Sequence, residues 1–434
     1  MSNYFKILIW ILLIYSIFIA FLGISFDTFN TIKYGGVDLR NRVVGARLLL
    51  DGRDPYFTKS AKNTPDYYVD GRDYYDLPVS RCTITPSLLL LHIPWASINY
   101  KIQQYLWFAV QEIFLLLSIF ILAILAGKRY KIVLIIGFMF QVGAYFWRFH
   151  VACGQIYVLF LFLIILAYLV ARSSFKHSSF WSGFLLGITA TWRPPLLIMS
   201  IPFLIYKKWK LIFGGFCGIV FGLLSTSLIT GVHIWQSYFS AMKIVEKFHV
   251  GLITYKMNFH DHFNYIEKVK NSFFSADLPN LDTSIQGILF NKFSKVVTSE
   301  YLWIALIFAT LILTLPMFRK KQRSASWEKL FFSGSILLFI SEFFLPAARL
   351  SYNNVIWFLP VSLLIIRADK PVQLFNAGLI FFILGMLANY LYNLHILTIM
   401  FADYSILIYL VWMLFSWDKM FKKPNDGIIS AESS

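Results

Sequence analysis

Charge is what this chain has little of. Only 14% of its 434 residues are charged, where a soluble domain carries about 25%. A chain this poor in charge cannot cover itself with an ordinary polar surface. Acids are the scarcer sign, 22 against 39 basic residues, for a net charge of +17. Cysteine is nearly absent, at three, and none has the spacing of a zinc site. Cys217 lies in an apolar run and reads as packing, which leaves only a Cys82–Cys153 disulfide open. Glycine-rich nucleotide loops of the Walker or Rossmann kind are missing. So is any internal repeat with the paired broken helices of a secondary transporter.

Apolar sequence is abundant instead, at 58% hydrophobic and 19% aromatic. Residues 7–24, 151–171, 211–232 and 371–402 contain no Asp, Glu, Lys or Arg. Each reaches the roughly 17–25 residues that a membrane-crossing helix needs. Barrel strands alternate in polarity, and these runs do not. The fold class expected is an all-α polytopic membrane protein in one domain, residues 1–434, with about twelve spans. They fall near 4–26, 103–127, 131–147, 156–171, 180–192, 195–206, 211–232, 301–318, 330–346, 354–367, 373–391 and 395–416. The first follows Lys6, is long and lacks a small-residue cleavage site, so it reads as an uncleaved helix.

Basic clusters orient the bundle. With the N-terminus cytoplasmic, residues 128–131, Arg172 with Lys176, 207–210, 319–323, and Arg367 with Lys370 share one side. The tail, 417–434, joins them, as the positive-inside rule requires. The excess of positive charge is thereby used in topology, and nucleic acid is not an expected partner. The segments 27–102 and 233–300 become long extracytoplasmic loops. Within the first, Leu39, Val43, Ala46 and Leu50 recur at helical spacing, with Arg40 and Arg47 elsewhere. That pattern predicts an amphipathic helix lying in the membrane interface. Residues 87–93, 234–250 and 281–293 are further short helices of these loops.

Polar residues collect on the same outer side: Asp38, Arg40 and Arg42; Arg148 and Gln155; Arg193; His260-Asp261-His262; and Arg349 with Tyr352, Asn353 and Asn354. Arginines from four connections facing one compartment suggest an anion site, because the guanidinium fork binds phosphate oxygens bidentately. Each has a plainer reading beside this one. Arg148, Arg193 and Arg349 fit snorkelling to lipid head groups. Asp38 fits a helix N-cap with Arg42 as its i,i+4 partner. The two histidines lack a third ligand at sensible spacing, so no metal site is expected. Glu112, Glu342 and Asp403 lie within apolar spans, where an acid is a functional candidate by default.

Four stretches resemble glycosyltransferase family 87, the polyprenyl-phosphate-mannose-dependent α-mannosyltransferases of the GT-C type. GGVDLRNRVVGARLLLDGRDPYF (35–57) is similar to an aspartate-bearing first outer loop with a Gly-x-Asp-Pro-Tyr turn. TPSLLLLHIPWASI (85–98) is similar to a proline-led, leucine-rich juxtamembrane helix. Residues 154–210 look like a Gly-Gln helix, then a glycine-rich helix ending in Lys-Pro. DTSIQGILFNKF (282–293) and LPAARLSYNNVIWFLP (345–360) look like an Asn-Gln-Ser-x-x-Gly helix and a histidine-bearing outer turn.

The resemblance implies a GT-C-type bundle in a bacterial inner membrane, moving a hexose, mannose first, from a polyprenyl-phosphate-sugar to a lipid or glycan hydroxyl with inversion. Asp38 would be the general base. Arg193, where the family has lysine, would hold the donor phosphate, helped by Arg349 and Arg148. Ser284 and Gly287 match the family helix, whereas Asp282 and Thr283 replace its Asn-Gln, and Gln286 is the amide nearby. Asn353 and Asn354 stand where a histidine is expected. Asparagine cannot take a proton near neutral pH, which leaves His260, His262 or Asp38 alone. Arg40, Gln155 and Tyr352 complete the candidate set. The donor, the acceptor and membrane lipids are the implied partners, with no cofactor and no metal. A lipid-linked-sugar flippase or transporter would share the arginines and the topology.

Overall fold

The computed structural model of the chain describes residues 3–34, 36–61, 64–70, 72–74, 77–253, 257–259, 282–318, 325–368, 379–388 and 396–421. His260, His262, and the basic residues of 319–323, 370 and 422–423 lie outside them. The described chain is helical apart from one antiparallel ladder, β1 (Arg72–Tyr74) on β2 (Met257–Phe259), with Asp73 opposite Asn258. This ladder joins the first long loop to the second.

In chain order the first helices are α1 (Asn3–Tyr34), α2 (Val37–Leu50), α3 (Pro86–His92), α4 (Tyr100–Leu125), α5 (Tyr130–Ile136), α6 (Tyr145–Cys153) and α7 (Tyr157–Arg172). There follow α8 (Ser178–Trp192), α9 (Ser200–Ile205), α10 (Trp209–Thr230), α11 (His233–His249) and α12 (Ile285–Phe293). Last come α13 (Ser299–Phe318), α14 (Trp327–Phe344), α15 (Phe358–Arg367), α16 (Leu379–Ala388) and α17 (Ile396–Met420). Among the described residues α1, α4, α10, α13 and α17 contain stretches long and apolar enough to cross a membrane. The pair formed by Gly127–Val142 and α6 makes a sixth if it is one span, bent by 58°. Several remaining helices coincide with expected spans but are shorter than a straight crossing requires.

The bend has a local cause. The helix passes through a π turn at Gly137–Val142, and Ala144 is extended. Carbonyls freed by such a break need donors. Arg148 supplies them, donating to the oxygens of Val142, Gly143 and Ala144 at 2.9–3.2 Å. Gly23 of α1 makes room, since a Cβ there would lie 2.7 Å from the Arg148 Nη2.

Helix α1 runs to Tyr34, beyond the expected end near residue 26, and so carries Asp27 as a buried residue of the helix. The second departure is α2. It forms where expected, but it is not an interfacial helix with one wet face: Val37 and every residue from Leu39 to Leu48 are buried. Its arginines are enclosed because the loop wraps them with carbonyl oxygens. Arg40 donates to Val69 O at 2.8 Å and to Asp66 O, and Arg47 to Ala96 O, Tyr67 O and Ile98 O at 2.7–3.2 Å. Each also lies over an aromatic ring, Tyr100 at 4.7 Å and Tyr67 at 4.1 Å. Matching its donors in this way offsets much of the cost of burying a guanidinium.

The rest of the loop is pinned by local chemistry. Asp54 accepts from the amides of Tyr56 and Phe57, closing the Gly-x-Asp-Pro-Tyr turn. That turn buries Tyr56, whose hydroxyl donates to Ile84 O at 2.9 Å. Thr85 caps α3 with Pro86 as its first residue, the position where proline loses nothing. Cys82 packs with Tyr56 and Leu89, and Cys153 with Val37 and Phe149, in separate clusters. No disulfide forms among the described residues.

Helices α8 and α10 cross in close contact through glycine. A Cβ on Gly183, Gly187, Gly214 or Gly218 would overlap a backbone carbonyl of the opposite helix. This is the small-residue packing that lets membrane helices touch along their backbones. Connections expected on one side also meet at one end of the bundle. Arg129 donates to Ile365 O and Ile366 O, Arg172 pairs with Glu328, Lys208 lies over Trp327, and Lys329 pairs with Asp418.

Candidate active site

A cavity of about 480 Å³ opens between α2, α7, α11 and the segments that follow α8 and α14. That is within the roughly 300–1,000 Å³ typical of small-molecule sites. Its polar and charged lining includes Asp38, Asn41, Arg42, Arg81, Gln155, Tyr157, Arg193, Glu246, His249, Glu342, Tyr352 and Asn353. Residues from seven separate stretches of chain thus converge on one space.

Asp38 is not a cap. Gly36, in the left-handed region at φ 70°, occupies the N-cap of α2 and no side chain caps it. The carboxylate is turned into the cavity instead and is 28% exposed. Its Oδ2 accepts from Gln155 Nε2 at 2.5 Å and its Oδ1 from Arg81 Nη2 at 3.3 Å. Arg81 is held in turn by Asp70 at 3.1 Å, and Asp70 by Asn41 at 3.2 Å. Gln155 reaches Asp38 because Gly154 turns the chain at φ 68°; a Cβ there would lie 2.8 Å from that of Leu39. The Gly-Gln pair of the sequence is therefore one glycine that permits the approach and one amide that uses it. Arg42 does not pair with Asp38 by hydrogen bond. It donates to Gly154 O, beside the indole of Trp107, and burial pulls its guanidinium down from the usual range.

Arg193 lies in the break after α8, extended at φ −141° before Pro194 and Pro195. Its guanidinium sits 4.2 Å over the Tyr157 ring and pairs with Glu342 of α14. Its Nε is buried with no hydrogen-bond partner among the described residues. Tyr352 packs against Tyr157 with ring centroids 5.5 Å apart, and burial holds its phenol well above the usual range. Asn353 Oδ1 is buried and unpartnered among the described residues. His249, on the last turn of α11, is pushed down to about 4 by burial and so stays neutral through the physiological range.

Other sequence candidates are elsewhere. Arg148 seals the bend described above, and Arg40 ties α2 to its loop. Neither lines the cavity. Arg349 is 1% exposed and closed off. It pairs with Asp403, donates to Thr283 Oγ1 at 2.8 Å and Asn354 Oδ1 at 2.6 Å, and lies 3.9 Å over Phe343. Asn354 is thus in this clamp and not in the cavity. Asp282 Oδ1 accepts from the amides of Ser284 and Arg349, both at 2.9 Å, while Ser284 caps α12 through the Gly287 amide. A Cβ at Gly287 would overlap the Asp282 carboxyl, which accounts for Ser and Gly at this spacing. Gln286 donates to Val250 O at 2.8 Å and supports α12 against the end of α11.

Arg81, Asp70 and His249 were not singled out in the sequence. Arg81 lies 43 residues from Asp38 in a loop without periodicity, so no pattern in the sequence links the two.

A carboxylate held between an amide and a guanidinium thus shares one cavity with a second arginine in a helical bundle rich in apolar spans. The family model of glycosyltransferase family 87 matches residues 83–341, more than half of the chain. The chain belongs to glycosyltransferase family 87 and is a membrane glycosyltransferase. The matched stretch contains Gln155, Arg193 and Gln286, whereas Asp38, Arg349 and Asn353 lie outside it. No curated protein and no solved structure matches the chain.

Proposed function

We propose that the protein transfers one hexose, mannose first among candidates, from a polyprenyl-phosphate-sugar to a lipid or glycan hydroxyl, with Asp38 as general base. The observation that carries this is the shared cavity: Asp38 and Arg193 both line it, and each is fixed from behind by a partner on another element. The acceptor hydroxyl loses its proton to the Asp38 carboxylate as its oxygen attacks the anomeric carbon. The bond from that carbon to the donor phosphate oxygen breaks on the opposite face, so the configuration inverts. The departing phosphate gains charge and needs cations more than it needs a proton. Arg193 is the cation assigned to it, through the edge of the guanidinium that Glu342 does not occupy.

Arg349 and Arg148 drop out of this assignment because neither lines the cavity and the terminal nitrogens of both are bound to protein acceptors. The cavity end of the bundle faces away from the cytoplasm in this reading, since the basic connections meet at the other end. The donor and acceptor are substrates, and no cofactor is assigned.

The test is a transfer assay on purified protein in nanodiscs, with radiolabelled polyprenyl-phosphate-mannose and a lipid extract of the host. A labelled product that disappears in Asp38→Asn supports the assignment. Wild-type transfer by Asp38→Asn refutes the base. Turnover only with another hexose donor keeps the mechanism and changes the sugar. Movement of labelled lipid across vesicles without transfer turns the reading into a flippase.

A further inference from the structure

Three acids stood out in the apolar spans of the sequence, and arginines answer two of them. Glu342 pairs with Arg193 and Asp403 with Arg349. Glu112 of α4 has no such partner. It is buried, and neither of its carboxyl oxygens makes a hydrogen bond among the described residues. The extension of α1 brings it a companion. Asp27 is completely buried, and both of its oxygens are equally unpartnered.

The helices that carry the two acids pack together, and Thr31, one turn from Asp27, shares a small cavity with Phe108 and Gln111, the neighbours of Glu112 along α4. Asp27 is near enough to act on Glu112, and the Trp147 indole lies beside both. That indole N–H is itself completely buried and makes no hydrogen bond of ordinary geometry. Arg148 is the cation beside the pair among the described residues, its Nη2 held against α1 at Gly23, one turn before Asp27. Its guanidinium is occupied by the carbonyls of the bend, so it reaches the acids only through space. None of these four residues lines the catalytic cavity.

Two carboxylates beside one guanidinium leave a net negative charge in a low-dielectric interior, with four oxygens and almost no donors. Like charges so placed do not both persist. One proton relieves both faults. It gives a carboxyl that donates to its neighbouring carboxylate, and the remaining negative charge balances Arg148. We propose that Asp27 and Glu112 form a proton-binding carboxyl pair inside the bundle, sharing one proton at neutral pH beside Arg148. The proton comes from solvent, and its uptake takes the three side chains from a charge of −1 to neutrality. The pair titrates as a unit, and neither acid has a private midpoint. This site does not depend on the sugar-transfer reading.

The test uses the full chain in nanodiscs and dicyclohexylcarbodiimide, a hydrophobic reagent that attacks protonated carboxyls within membranes. Peptide mass spectrometry is expected to find the adduct on Asp27 or Glu112 at neutral pH, fading as pH rises. Glu342 and Asp403, paired with arginine, serve as unlabelled controls. In Asp27→Asn the remaining acid is balanced by Arg148, so its adduct is lost; two independently buried acids would leave Glu112 labelled. Infrared difference spectra guard against poor reagent access. A protonated-carboxyl band is expected in the wild type and absent from Asp27→Asn/Glu112→Gln. Absence of both adduct and band overturns the proposal. Persistent labelling of Glu112 in Asp27→Asn also overturns it. So does protection by added sodium at constant pH, which would assign the site to a metal cation.

Discussion

Replacing Arg349 with methionine separates the two roles that an arginine at a helix end can have. Read as a phosphate ligand, it should affect donor binding alone. Read from its contacts, it is a clamp. It ties the 282–284 segment, the turn before α15, and α17 together through Thr283, Asn354 and Asp403. Removing the cation leaves the fully buried Asp403 carboxylate with one hydroxyl and one amide. Breaking one side of a buried ion pair costs about 3–5 kcal/mol. Replacing both partners by apolar groups is often close to neutral, although Thr283 and Asn354 would each lose a bond to both partners, at about 1–3 kcal/mol for each buried group left unsatisfied. The expected order is wild type, then Arg349→Met/Asp403→Leu, then Arg349→Met as the least stable. The assay is the thermal unfolding midpoint of purified protein in one detergent. An Arg349→Met variant with the wild-type midpoint and a raised donor KM would refute the clamp and restore the phosphate role.

Arg81→Met should lower kcat by about 100-fold with little change in KM, because a misplaced base costs about that much; unchanged kcat in the transfer assay would mean that Arg81 does not orient Asp38. Gln155→Leu should act in the same direction, and Gln155→Glu should be worse than Leu, since it sets a second carboxylate against the first. Stability should fall as pH drops from about 6.5 toward 4. His249 is held down to about 4, and His92 also lies well below its usual value. The unfolded chain therefore binds protons in that window before the folded one does. His249→Gln should flatten part of that slope in unfolding measured against pH. Gly187→Leu should prevent α8 from meeting α10, seen as loss of the monodisperse peak in size exclusion.

Much of the helical framework was legible because membrane chemistry is blunt. Apolar runs at 7–24 and 211–232 became α1 and α10, and the Pro194-Pro195 break fell where proline forbids a continuous helix. The short helices expected near 87–93 and 281–293 are present as α3 and α12. Other features were not legible. The reach of α1 to Tyr34 hid Asp27 in what looked like a loop. Helix α2 carried the right period, yet its arginines were expected in water and are buried under carbonyls supplied 20–51 residues away.

Among the candidate site residues, the structure gathers Asp38, Gln155, Arg193, Tyr352 and Asn353 around one cavity. It assigns Arg40, Arg148, Arg349, Asn354 and Gln286 to structural contacts. The sequence by itself determined that this chain is a membrane-embedded helical bundle. Hydrophobic length and charge are properties that each segment carries alone. Only the tertiary structure decided which arginines keep a face toward substrate space and which are consumed by protein acceptors. A guanidinium becomes a ligand or a staple according to the carbonyls and carboxylates brought beside it, and those come from distant parts of the chain.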